Sequence, residues 1–155
     1  MNLAMVKHPR CAKNYWFQVP DELNGIVRAN YAVICDTRLG AQPGVVSFTA
    51  SYDINDERFR AVLEECGATF PLRKITAVYT TIPINKIVVP DRIRRTTPKA
   101  KKLSARFLEW NQFGCFKTEV VIGKDFVLSD GYSAYVVAKA IGHRVLAVRM
   151  EVGRK

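Results

Sequence analysis

The stretch LSDGYSAYVVAKAIGHRVLAV, Leu128 to Val148, decides the reading of the fold. A short apolar strand runs into an Asp-Gly turn at Asp130 and Gly131. A helix follows, stops at Ile141–Gly142, and gives way to a second apolar strand. Asp and Gly favour this turn because Asp bonds its own backbone and Gly tolerates positive φ. Gly142 suits a helix end for the same conformational reason. A helix start carries backbone N–H groups with no partner inside the helix and a partial positive charge, so the turn is a candidate anion holder. The plainer reading is a capped helix, with Asp130 or Ser133 as the cap.

Outward from this stretch the pattern continues. EVVIGKDFVLSDG reads as strand, tight Gly-Lys-Asp turn and strand. DRIRRTTPKAKKLSARFLEWNQFG contains a helix from about Pro98 to Phe113, with Thr97 as cap and Gly114 as stop. Ala100, Leu103, Phe107 and Trp110 form its apolar stripe. Lys99, Lys102 and Arg106 fall at i, i+3, i+7 beside it. INKIVVP reads as a short strand ended by Pro90.

The preceding half reads mainly as strand. YWFQV, YAVICDT and VVSFTASY are aromatic and β-branched, and RLGAQPG supplies a Gly-rich loop for a hairpin between the last two. Phe59, Val62, Leu63 and Cys66 mark one face of a helix that Asp56 caps and Gly67 stops. KITAVYTTIPI is a further strand. The pattern predicts a small barrel or twisted sheet with one helix.

Charge divides the chain at the same place. The net charge is +10 over 155 residues, with a pI near 9.7. Residues 1–82 hold 9 basic and 8 acidic side chains, and residues 83–155 hold 15 and 6. Lys86 to Arg106 alone carries eight basic residues against one acid, Asp91. A localised excess points to a polyanionic partner rather than to general solubility. Arg94, Lys99, Lys101, Lys102 and Arg106 are therefore candidate nucleic-acid contacts.

Several classes drop out. The apolar residues before Lys7 are too few for a secretory core, and the longest uncharged run, Leu39–Tyr52, is too short and too polar to span a bilayer. No membrane partner is expected, and the cytoplasm is. Cys11, Cys35, Cys66 and Cys115 form no CxxC pair, and His8 and His143 lie far apart, so no zinc cage is expected. The cysteines read as reduced and mostly buried. His8 is placed in a loose terminus, and His143 at the cation-favouring end of a helix. No GxxxxGK, GxGxxG or Ser-His-Asp arrangement occurs.

The order of elements in residues 83–155 resembles the ParB/sulfiredoxin-like fold. The carrying residues are INKIVVPD and FGCFKTEVVIGKDFVLSDGYSAYVVAKAIGHRVLAVRM. The first half more weakly resembles, through YWFQVPDELNG and VICDTRLGAQPGVVSF, the small β-barrel ahead of such domains in some bacterial and phage proteins. The fold expected is thus α+β: a β-rich domain over residues 1–82 with one helix, and a ParB/sulfiredoxin-like domain over 83–155. Each half is small for a lone core, so the two pack together or the chain forms a homodimer or takes a protein partner.

The resemblance implies a nucleotide, ATP or CTP, with its phosphates at the helix start. Asp130, Gly131, Tyr132 and Ser133 would line that pocket, with Gly114 on the facing loop. ParB-type sites follow the Gly with an acid and two arginines, whereas Tyr132, Ser133 and Ala134 stand here. Sulfiredoxins place a catalytic cysteine where Tyr132 stands. Arg92, Arg94, Arg95 or Lys102 could replace the missing arginines if the basic helix approaches the turn. The function expected is a ParB-like nucleic-acid-associated accessory protein, of phage or plasmid kind, with a degenerate nucleotide-binding turn and no catalytic residue. A phosphotransferase or nucleotide hydrolase of the same fold and a non-catalytic interaction module are the alternatives. No cofactor is required by any motif.

Overall fold

A computed structural model describes residues 1–153, so the final two positions of the expected second domain, 154 and 155, lie outside the described residues. The chain divides into two units, Met1–Tyr79 and Thr80–Lys155. The architecture is mixed α and β. Among the described residues, no polar or charged side chain is fully sequestered from solvent.

The first unit begins with β1 (Asn2–Lys7), antiparallel both to β2 (Asn14–Val19) and to β4 (Gly40–Ser51). Leu3, Ala4 and Val6 of β1 are completely buried. The expectation of a loose amino-terminal segment is corrected here. Its apolar alternation is short, and only pairing on both edges with distant strands makes it a central strand. β3 (Ala32–Thr37) pairs with β4 and with β5 (Ile75–Pro83), giving the order β2-β1-β4-β3-β5. An isolated parallel bridge joins Gln18 to Lys74, and the Gln18 amide donates to the Arg73 carbonyl at 2.9 Å. This bridge brings the outer strand β2 against the residues that lead into β5.

The β3–β4 hairpin turns on Arg38 and Leu39 alone. The Thr37 hydroxyl donates to the Gly40 carbonyl at 2.8 Å and accepts from the Leu39 amide at 3.1 Å. Gly40 to Gly44, expected as loop, are instead the first rungs of β4. Gly44 is there for space: a Cβ would stand 2.4 Å from the Val6 side chain. The helix α1 (Glu57–Glu65) forms as its periodicity predicts, with the Asp56 carboxylate accepting from the Arg58 amide. Only Leu63 of its apolar face is fully buried, against Leu3 and Tyr52, and Cys66 is exposed.

In the second unit the strand order is β5-β8-β6-β7, with β6 (Val121–Ile122), β7 (Leu128–Asp130) and β8 (Val145–Glu151). β6 runs antiparallel to β7 and parallel to β8. Between β7 and β8 comes α4 (Tyr132–Ala140), whose Ala134, Val137 and Ala138 face the core beside Ile122, Leu128 and Val148. Turn, helix and strand thus fall where Leu128–Val148 predicts. The strand expected in INKIVVP does not form. Ile84–Lys86 is a single 3-10 turn, and Val88 makes only an isolated bridge to Val127. A short helix α2 (Asp91–Arg94) follows, then α3 (Ala100–Phe113).

α3 starts two residues later than the proline suggests, with Lys99 at its N-cap and no side-chain cap from Thr97. Gly114 ends it in the left-handed conformation, donating to the Trp110 carbonyl at 2.8 Å. No residue of α3 is fully buried, and Phe107 is 39% exposed. The predicted core stripe is therefore a half-buried one.

Candidate phosphate-binding cleft

A cleft of about 640 Å³ opens in the second unit. One wall is the end of β7 and the start of α4: Ser129, Asp130, Gly131, Tyr132 and Ser133. The other is built from α2, the following loop and the first turns of α3, and includes Arg92, Lys99, Lys102 and Arg106. This volume is in the range of about 300–1,000 Å³ typical of small-molecule sites.

The cations reach the cleft for local reasons. Pro90 fixes the entry to α2 and sets Arg92 in its first turn. Lys99, Lys102 and Arg106 share one face of α3 because of their spacing. Arg92, Lys99 and Lys102 are exposed, and none is in an ion pair among the described residues. Arg106 differs. It is half-buried, with its guanidinium 3.3 Å from the Glu109 carboxylate, which also accepts from the Lys117 amide at 3.2 Å. Its Nε has no protein partner. Asp130 is the one carboxylate in the lining, against four cations.

The helix start facing them is open. Gly131 is the N-cap of α4, and no side chain caps the helix. The Asp130 carboxylate accepts from the Gly131 amide at 2.7 Å, one residue before the helix, and so does not occupy the amides of its first turn. Neither Asp130 nor Ser133 is the cap that the plainer reading requires. The dipole and these amides favour an anion at this end.

Gly131 has the positive φ that the turn calls for, and a second reason besides. Its φ is +85°, and a Cβ there would meet the Glu119 carbonyl oxygen at 2.7 Å and the Val120 Cα at 2.8 Å. The missing side chain makes room for the strand entering β6, not for a ligand.

Of the candidate residues, Arg92, Asp130, Gly131, Tyr132 and Ser133 meet in the cleft, as do Lys99, Lys102 and Arg106. Gly114 is absent from it, because it terminates α3. Arg94, Arg95 and Lys101 are outside the lining; the Arg94 guanidinium turns back to the Val89 carbonyl at 3.3 Å. Sequence reasoning missed Thr96, Thr97, Thr118 and Ser129 in the lining; the Thr96 and Ser129 hydroxyls already donate to the Arg92 and Val121 carbonyls, at 3.2 and 3.1 Å. The Thr-Thr pair between two basic segments was their only signal. No group of three or more potential metal ligands occurs among the described residues.

No protein-family model matches the sequence, and no curated protein does. Among solved structures, one form of a Pnob8-like ParB N-domain is similar at 15% identity and a TM-score of 0.45, covering 51% of this chain and 31% of that one. A second structure of a pNOB8-like ParB N-domain is similar at 18% identity and a TM-score of 0.44, over 51% and 29%. The chain thus spans about a third of the length of the structures it matches. No helix among the described residues is long and apolar enough to cross a membrane.

Proposed function

We propose that this chain is a ParB-like, nucleic-acid-associated protein whose second unit holds the phosphates of a nucleotide in the cleft at the start of α4. The observation that carries the reading is the convergence of Arg92, Lys99, Lys102 and Arg106 on the same cleft as an uncapped helix start. The arginines that the ParB-type motif would supply after Gly131 are replaced by cations from other elements. Exposed Arg95 and Lys101, outside the cleft, remain available to nucleic-acid phosphates.

The reading is one of binding rather than turnover. Asp130 is the only carboxylate in the lining, and one of its oxygens is engaged by its neighbour's amide. The test is calorimetry on the full chain with ATP, CTP and ADP. A charge-assisted hydrogen bond is worth about 1.5–3 kcal/mol, so Arg92→Ala or Lys102→Ala should each weaken binding by about 10- to 150-fold. No binding at millimolar nucleotide, or binding indifferent to both changes, overturns the proposal. Release of inorganic phosphate would promote the hydrolase reading in its place.

A further inference from the structure

The first unit is nearly neutral as a whole, yet its charges are not evenly spread. A broad cleft of about 1220 Å³ opens between the β1–β2 connection, the β3–β4 hairpin and the segment leading into β5. Arg38, Arg73 and Lys74 line it, and Asp36 is the only acid among the lining residues. Asp36 stands 3.8 Å from Arg73, which leaves Arg38 and Lys74 exposed and without an ion pair among the described residues. The unit's other acids are at Asp21, Glu22, Asp53 and Asp56 and on α1, none of them in the cleft.

The same cleft is lined with rings. Tyr15 and Trp16 come from β2, which is paired along its length only to β1. Tyr15 is 45% exposed. Trp16 points to the opposite face of β2, packs on the Leu3, Tyr52 and Leu63 cluster and is braced edge-on by Phe48 at 5.3 Å, so Tyr15 is the ring of β2 left to stack. Phe70 lies across the cleft, but the Arg60 guanidinium stands 4.7 Å over its ring.

We propose that this cleft binds single-stranded nucleic acid, with Tyr15 stacking on an unpaired base and Arg38 and Lys74 taking the backbone phosphates. Rings recessed in a cleft reach bases that are splayed out and not those stacked inside a duplex, and a cationic margin tracks the backbone without reading sequence. The positive lining disfavours a basic or neutral proline-rich peptide, which the rings alone would also suit. The site is separate from the cleft at α4 and does not depend on a nucleotide binding there.

The experiment is fluorescence anisotropy of the full chain with a labelled mixed-sequence 12-mer as single-stranded DNA, as single-stranded RNA and as duplex DNA, across salt. At least one single strand should bind more tightly than the duplex. Tyr15→Ala should weaken that binding by about 5- to 150-fold, the range seen for loss of one base–aromatic stack. Arg38→Ala should lower the single-strand salt slope by about 0.7. Lys102→Ala, which tests the other cleft, should leave the Tyr15 effect in place. Arg38→Glu is the second probe should Tyr15→Ala fail to fold. Single-strand binding unmoved by Tyr15→Ala and Arg38→Glu, or duplex binding weakened by them as much as single-strand binding is, overturns the proposal. So does a peptide ligand seated on these residues in the absence of single-strand binding.

Discussion

The His143 imidazole stands edge-on against the Trp110 indole, with ring centroids 4.1 Å apart and planes 67° apart. Phe116 packs on the same indole at 5.4 Å. His143 follows α4, and its amide donates to the Ala138 carbonyl at 3.0 Å, so this one contact ties the far end of α3 to the far end of α4. Each wall of the cleft at the start of α4 includes the first turn or turns of one of these helices. An aromatic pair of this kind contributes about 0.5–1.5 kcal/mol beyond its buried area. His143→Ala should therefore lower the urea midpoint modestly and also weaken nucleotide binding, although His143 is not in the cleft. Unchanged calorimetry in that variant would show that the helix ends do not set the cleft.

Phe107 and Leu128 should separate surface from core. Leu128 is completely buried, so Leu128→Ala should cost about 2–5 kcal/mol. Phe107 keeps two-fifths of its surface in water, so Phe107→Ala should cost well under the roughly 3–5 kcal/mol of a core phenylalanine. Equilibrium denaturation of the two variants checks the order.

Gly131→Ala should destabilise the second unit even without any ligand. The new methyl group would press on the backbone of Glu119 and Val120, and the positive φ adds about 1–2 kcal/mol for an L side chain. A denaturation midpoint equal to that of the parent would disprove the contact. For the same reason a bulky residue at 131 is a poor probe of anion binding, whereas Lys102→Ala leaves the fold alone.

Lys99 and Lys102 should carry equal weight in salt dependence, and Arg106 should not. If duplex DNA binds along this face, each lysine replaced by alanine should lower the salt slope by about 0.9. Arg106 is held by Glu109, so its removal should mainly cost stability and leave Glu109 with only the Lys117 amide. Anisotropy at several salt concentrations, paired with thermal melts, distinguishes the two effects.

Cys35 should be the last thiol to react. It is completely buried in β3, and burial raises its pKa to about 12. Cys11, Cys66 and Cys115 are partly or fully exposed. A disulfide reagent at pH 8 should titrate three thiols in the folded chain and the fourth only on unfolding. The folded thiol keeps its proton to higher pH than the unfolded one. Its contribution is therefore intact below about pH 9, the ordinary thiol value, and is lost as pH rises toward 12. Rapid reaction of all four thiols would contradict the burial.

Much of this was legible in the chain because the signals were local. The run from Leu128 to Val148 placed a turn, a helix and a strand correctly, since each depends on neighbours a few residues away. The row at Lys99, Lys102 and Arg106 follows from helical spacing alone. What could not be read depends on distant partners. β1 is a strand because β2 and β4 flank it, and Gly40 to Gly44 pair because β3 lies beside them. Gly44 looks like a turn residue but lies in β4 against Val6, and Gly131, which does make its turn, also sits where the backbone of Glu119 and Val120 leaves no room for a side chain. The cleft of the first unit was hidden by an average: near-neutral charge over 82 residues says nothing about where Arg38 and Lys74 gather.

The bridge from Gln18 to Lys74 has a consequence in time as well as in space. Most of the first unit lies between those two residues, so this pairing cannot form until the unit's last strand has arrived. The entropy of closing so long a loop must be met before the final contacts offset it, which places this unit among slow-folding, non-local topologies. The second unit builds one turn and helix from a short run, but its last strand, β8, must likewise arrive before it can pair with β5 and β6. On a ribosome, the half synthesised first would remain an open sheet, with the edge of β2 unpaired at Gln18, until Lys74 had cleared the exit.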